Sequence, residues 1–159
     1  MSDKSTIADI IEDHLHLEGP LLPILHAIQS RFGYLPADTR RWVAQALRIS
    51  EADVHGVISF YHFFREQPPG KHVVSICRAE ACQAQGCRAL EAHIKQTLGI
   101  DFHQTTADRQ ITLEPVYCLG NCATGPSLRV DDRIIGRVSK ETFDQLAATL
   151  STDVVKVVA

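Results

Sequence analysis

The stretch HVVSICRAEACQAQGCRALEAHIKQTL, His72 to Leu98, decides the fold of the second half of the chain. HVVSI is short, β-branched and bounded by Gly70 and Cys77, which predicts a strand over His72–Ile76. From about Gln83 onward, Leu90, Ile94 and Leu98 recur at every fourth position, the spacing of one helix face. Further on, QITLEPV (Gln110–Val116) alternates Ile111 and Leu113 against Thr112 and Glu114, which predicts a second strand. A strand–helix–strand crossover in one sheet normally makes the two strands parallel. Parallel strands end on the same edge. Cys77, just past the first strand, and Cys118, just past the second, then open loops on one side of the sheet. SLRV and RIIGRV flank Asp131-Asp132 and predict a hairpin, and Ser139 caps a helix carrying Phe143, Leu146, Ala147 and Leu150. The tail VVKVVA reads either as a docking strand or as an ordinary packed terminus.

The two loops carry matching chemistry. Cys77 and Cys82 enclose four residues, and Cys118 and Cys122 enclose three. Four thiolates are what one small iron–sulfur cluster or one structural zinc requires. Structural zinc sites typically begin with a C-x2-C knuckle, so the wider loops in CRAEAC and CLGNC lean toward a cluster with two metal centres. Four scattered structural thiols are the plain alternative. Gly120 and Gly125 allow the second loop to bend closely around such a group and to offer backbone N–H groups to sulfur, although they also read as simple turn glycines. Cys87 is the surplus thiol. At a helix start it could be reactive or an alternative ligand, but a small buried hydrophobe is the commoner case.

Five cysteines, an odd number, argue against a disulfide framework and for metal ligation in a reducing compartment. Net charge is −3 with Lys and Arg scattered, which does not indicate a nucleic-acid surface. The start MSDKSTIADIIEDHL lacks the pattern of a signal peptide and no apolar run is long enough to span a bilayer, so a cytoplasmic protein without membrane insertion is expected.

The residues before this α/β pattern read as all-helical. Thr6 with Asp9 resembles a capping box, and Ile7, Ile10, Ile11 and Leu15 follow at helical spacing until Gly19. Pro20 opens a second helix with Leu21, Ile24, Leu25, Ile28 and Phe32 on one face, and Gly33 is placed to end it. A third is expected from near Asp38, burying Trp42, Val43, Ala46 and Leu47. Ser50 with Asp53 caps a fourth, through VHGVISFYHFF to about Arg65, apolar nearly all round and so either central to a bundle or covered by a partner. His55 and His62 on it read as core or interface histidines, while His14 and His16 read as solvated. QPPGK (Gln67–Lys71) breaks the chain, giving a helical bundle over 1–68 and a second domain over 71–159. No Gly-rich phosphate loop, GxSxG elbow or HExxH occurs, and no catalytic residue is assigned.

The order RFGYLP (Arg31–Pro36), GVISFYHFFR (Gly56–Arg65), C-x4-C, and CLGNC followed by GPS resembles the thioredoxin-like 2Fe–2S ferredoxin family over about Pro20–Leu150. That family includes the small 2Fe–2S subunit of NADH:quinone oxidoreductase and its relatives in NAD-linked hydrogenases. The first loop, ICRAEACQAQG, is most similar to the gamma subunit of molybdenum-dependent NAD formate dehydrogenases. The resemblance implies a thioredoxin-like α/β domain with a small mixed sheet behind the helical bundle. It implies that Cys77, Cys82, Cys118 and Cys122 ligate one 2Fe–2S cluster, two thiolates to each iron. It further implies one-electron exchange with a flavin- and NAD-binding partner subunit, docked through the helical half, and a molybdenum-containing formate-oxidising subunit in the same complex. FMN, NAD and the molybdenum cofactor would all belong to those partners. Cys87 has no counterpart expected among the family's ligands. Three other readings stand beside this one: a zinc-stabilised interaction module, a thiol–disulfide oxidoreductase, for which the C-x-x-C motif is missing, and a purely structural subunit.

Overall fold

The computed structural model describes residues 3–152, so the VVKVVA tail lies outside the described residues. The chain divides into two compact units, Met1–Pro68 and Pro69–Ala159.

In the first unit, α1 (Asp3–His14), α2 (Leu21–Phe32), α3 (Thr39–Leu47) and α4 (Glu51–Phe60) enclose one apolar core. Ile7 and Ile11 of α1, Ile24, Leu25 and Ile28 of α2, Val43 and Ala44 of α3 and Val54 and Ile58 of α4 are all buried there. Proline at Pro20 and a left-handed Gly33 bound α2, with the Gly33 N–H donating to the Gln29 carbonyl at 2.7 Å. The capping box of Ser50 and Asp53 opens α4: Asp53 N–H donates to Ser50 Oγ, and Ser50 N–H to Asp53 Oδ2, both at 3.0 Å.

Four expectations for this unit are corrected. Thr6 lies inside α1, which starts at Asp3 and ends at His14, so Thr6 and Asp9 are no cap and Leu15 is exposed. On α3 it is Ala44, not Ala46, that is buried. α4 stops at Phe60 rather than Arg65 because the side chain of buried Gln29 captures the chain beyond it. Gln29 Nε2 donates to the Phe63 carbonyl at 2.8 Å and Gln29 Oε1 accepts from Arg65 N–H at 2.9 Å, which satisfies that backbone outside a helix. His55 and His62 are exposed, so of the core and interface readings the core one is corrected. Of the aromatic run, Phe64 packs inward while Phe60, Tyr61 and Phe63 remain exposed.

The second unit runs β1 (His72–Cys77), α5 (Glu80–Ala84), α6 (Cys87–Leu98), β2 (Gln104–Thr105), β3 (Ile111–Val116), a 3-10 turn (Cys122–Thr124), β4 (Leu128–Val130), β5 (Arg133–Ile135) and α7 (Lys140–Thr152). The strands form one mixed sheet in the order β2-β3-β1-β4-β5. β1 and β3 are parallel, from His72 opposite Ile111 to Cys77 opposite Val116, while β4 runs antiparallel to β1 with Leu128 opposite Ile76. Val74, Ile76, Ile111, Leu113, Leu128 and Val130 of the sheet share one core with Leu90 and Ile94 of α6 and Phe143, Ala147 and Leu150 of α7.

The helix expected from Gln83 to Leu98 is two helices, since Gly86 takes φ +90° and restarts the chain at Cys87. The short β2 beside β3 has only two residues and no periodic signal to announce it. Ser139 does sit at the start of α7, its Oγ accepting from Thr142 N–H at 3.1 Å.

Candidate metal centre

Parallel pairing of β1 and β3 brings both cysteine segments to one edge of the sheet. Cys77 is the last residue of β1 rather than the first beyond it, and Cys82 lies within α5, not in an open loop. Both are buried. Cys118 follows β3 and Cys122 opens the 3-10 turn, and both are exposed.

Main-chain bonds lace the roots of the two segments together: Arg78 N–H donates to the Val116 carbonyl at 2.7 Å and Cys77 N–H to the Ser127 carbonyl at 3.1 Å. Within the second loop, Gly120 adopts φ +73° and directs its N–H to Cys118 Sγ at 3.3 Å. Gly125 matters for a different reason. A Cβ there would stand 3.2 Å from Cys82 Sγ and 3.0 Å from Gln85 Nε2, so bare backbone lets the second loop close over the first.

The four thiols meet in two pairs. Cys118 Sγ and Cys122 Sγ are 3.9 Å apart. Two thiolates on one tetrahedral metal, at metal–sulfur distances of about 2.3 Å, stand about 3.8 Å apart, so this spacing suits a shared metal atom. Cys77 and Cys82 form the other pair, joined through a thiol–thiol hydrogen bond. Burial, then this Cys77 contact, pushes the Cys82 thiol above its ordinary pKa, against the pull of the Ser127 backbone N–H. The Cys118 contact, with a smaller contribution from Cys77, raises Cys122 as well. Metal-free, Cys82 and Cys122 favour their protons, which a bound metal would displace. Among the described residues, no three His, Cys, Asp or Glu side chains converge on the position of a single ion. Sulfurs held two and two fit a group with two metal atoms, each held by one pair.

Cys87 bonds a main-chain carbonyl rather than another sulfur. Its Sγ donates to the Cys77 carbonyl at 2.9 Å, and burial foremost, with the neighbouring Cys82, Glu91 and Cys77, pushes the thiol to about 11. The start of α6 therefore does not make it reactive, because burial outweighs the helix end. Three contributors escaped sequence reasoning. Gln85 sends Nε2 to the Cys122 carbonyl at 3.0 Å, buried Ser127 receives the Cys77 N–H, and Arg78 joins Glu91 at 2.9 Å and the Tyr117 hydroxyl beside Cys118. Polar residues in loops carry no periodicity, so only their closeness to Cys82, Cys77 and Cys118 could have marked them.

A mixed sheet with helices α6 and α7 in its core and four paired thiols at one edge defines an α/β domain built to hold a small metal–sulfur group. The family model of the thioredoxin-like [2Fe-2S] ferredoxins matches residues 7–151, and the chain belongs to that family. It is 35% identical over 142 residues to the NADP-reducing hydrogenase subunit HndA of Solidesulfovibrio fructosivorans, covering 89% of this chain and 83% of that one. It is 36% identical over 134 residues to an NADH-quinone oxidoreductase subunit of Pseudomonas aeruginosa, covering 82% and 81% respectively. In structure it resembles the NAD+-reducing [NiFe]-hydrogenase in its H2-reduced state, with a TM-score of 0.70 at 24% identity, a likeness of fold. There it covers 82% of this chain and 22% of the longer one. The family is one of 2Fe–2S proteins, and the paired thiols fit that group. No helix among the described residues is long and apolar enough to cross a membrane.

Proposed function

We propose that this chain is a non-catalytic electron-transfer subunit of an NAD-linked oxidoreductase, with Cys77, Cys82, Cys118 and Cys122 holding one 2Fe–2S cluster. The observation that carries the reading is the gathering of four thiols at one sheet edge, two buried and two exposed. When bound, the cluster supplies one-electron redox chemistry. The residues of the chain do the rest. Cys77 and Cys82 anchor one side in the core, where burial limits solvent access. Cys118 and Cys122 face outward, where a flavin-bearing subunit can approach. The helical unit over 1–68 serves as the docking element, since Phe60, Tyr61 and Phe63 present exposed aromatic surface of the kind that permanent interfaces cover.

The parent complex is read from the first loop. ICRAEACQAQG favours an NAD-dependent formate dehydrogenase, in which a molybdenum-containing subunit oxidises formate and electrons pass through iron–sulfur centres to flavin and NAD+. The identities to hydrogenase and NADH-quinone oxidoreductase subunits favour a second reading, the equivalent position in one of those complexes. Affinity purification from the native cell, with metal and flavin analysis, separates them. Recovery of a flavin subunit with a molybdenum subunit supports the first reading. Hydrogenase or quinone-reducing partners replace it with the second. Zinc in place of iron, with no redox partner, overturns both.

A further inference from the structure

We propose that Gln85 is a positioning residue that ties the exposed cysteine loop to the buried one and so sets the separation of the two thiol pairs. The inference rests on the reading that those thiols hold a 2Fe–2S cluster. Gln85 directly follows α5, and its amide reaches across to the second loop. Nε2 donates to the Ala81 carbonyl at 2.8 Å and to the Cys122 carbonyl at 3.0 Å. A primary amide carries two N–H groups, so both bonds form at once. One acceptor precedes buried Cys82, and the other belongs to exposed Cys122 itself.

Gly125 provides the seat. The Gln85 amide and Cys82 Sγ lie side by side on its bare backbone, at 3.0 and 3.2 Å from where a Cβ would be. The main-chain bonds Arg78–Val116 and Cys77–Ser127 fix only the roots of the loops. Gln85 reaches further out and fastens Cys122. Without it the Cys118–Cys122 pair keeps its internal spacing but is freer to shift relative to Cys77 and Cys82. A two-metal group needs both pairs in register at once, so this freedom should show as a looser, more labile cluster. It should leave the metal-free fold unchanged, because Gln85 is exposed and takes no part in the core.

The test compares the reconstituted full chain with Gln85→Leu, which has no donor, and Gln85→Glu, whose carboxylate has the same shape and cannot donate to carbonyls. Three readouts are taken: iron release to a chelator, the EPR line shape of the reduced protein, and thermal melting of the metal-free protein. Both variants are expected to bind iron, to release it about tenfold faster and to show broadened EPR lines, with melting unchanged. Tenfold corresponds to losing two neutral hydrogen bonds at an exposed position. Release and line shape equal to the parent's in Gln85→Leu overturn the inference while the cluster reading stands. Melting that falls along with iron retention overturns it too, since the role is then general support of the fold. A parent chain that takes up zinc, or no iron, overturns both readings.

Discussion

The burial difference between the two halves of the site predicts a measurable asymmetry between Cys82→Ser and Cys122→Ser. Either change removes a soft thiolate, and both should weaken or abolish the visible spectrum of the 2Fe–2S protein. The metal-free chains should behave differently. Cys82 is 1% exposed, so serine places a hydroxyl in a buried, mainly apolar setting. Such a burial costs about 1–3 kcal/mol, and the Ser127 N–H, already directed at this position, compensates part of it, leaving about 1–2 kcal/mol. In a domain of roughly 60–100 residues that is a fall of about 4–16 °C in melting temperature. Cys122 is exposed, and serine there meets water, so melting should stay within about 3 °C of the parent. Circular-dichroism melts of reduced, metal-free protein measure the difference, and iron content with the visible spectrum measures ligation. Equal destabilisation by the two variants would refute the division into a buried and an exposed pair. Two irons and an unchanged spectrum in either variant would refute the ligand assignment.

Three further outcomes follow from the same geometry. Cys87→Ser should keep two irons per chain and the parent spectrum, and iron loss there would make Cys87 a ligand. Because the Cys87 thiol is raised from 9.0 to about 11, the fold favours its protonated form. Its contribution to stability is full below about pH 9 and lost as pH rises through about 11, so alkaline melts of metal-free Cys87→Ser should lack that part of the decline. Ser50→Ala removes the cap of α4 and should cost about 1 kcal/mol in chemical denaturation of the helical unit without altering the spectrum. Asp53, held below its ordinary range by Ser50, adds stability that is lost as pH falls below about 3.8. Phe60→Ser should leave melting of the isolated chain unchanged and reduce recovery of the flavin-bearing partner, and undiminished recovery would move the docking surface elsewhere.

Most of what positions the site was legible because it is periodic. HVVSI is a short β-branched run bounded by Gly70 and Cys77, ITLEPV alternates, the helix between them repeats at four, and together they demand the parallel pair seen between His72–Cys77 and Ile111–Val116. The ends of elements were less legible because long-range polar contacts set them. Nothing near Phe60 announces that Gln29, distant in sequence, will hold Phe63 and Arg65 outside the helix. The break between α5 and α6 had a visible cause in Gly86, but Leu90, Ile94 and Leu98 spoke for one helix and hid it. At the site the sulfurs stood out by type, whereas Gln85 and Ser127 act through a side-chain amide and a main-chain carbonyl that spacing does not encode.

The pairing of a buried and an exposed thiol set also explains why an electron carrier can be built on so small a sheet. Burial of Cys77 and Cys82 gives one half of the site a rigid base, since the strand and helix that bear them share the core with Ile76, Leu90 and Leu128. Exposure of Cys118 and Cys122 gives the other half access to a partner, but an exposed loop on its own would be free to wander. The two demands conflict unless the loop is tied to the base. Two main-chain bonds at its root and the Gln85 amide on Cys122 supply that tie at three points, while the Gly120 N–H on Cys118 braces the loop internally. Each tie uses a backbone group or a neutral side chain, so none adds a fixed charge beside the sulfurs. Arg78, next to Cys77 in the chain, is a nearby cation, and it is engaged by Glu91. The consequence is testable by electrochemistry: Arg78→Gln, which leaves Glu91 paired with Lys95 at 2.9 Å, should shift the reduction potential less than a charge introduced at exposed Ala123, next to Cys122. A larger shift from Arg78→Gln than from Ala123→Lys would mean that the Arg78 charge acts on the cluster directly rather than through its partner.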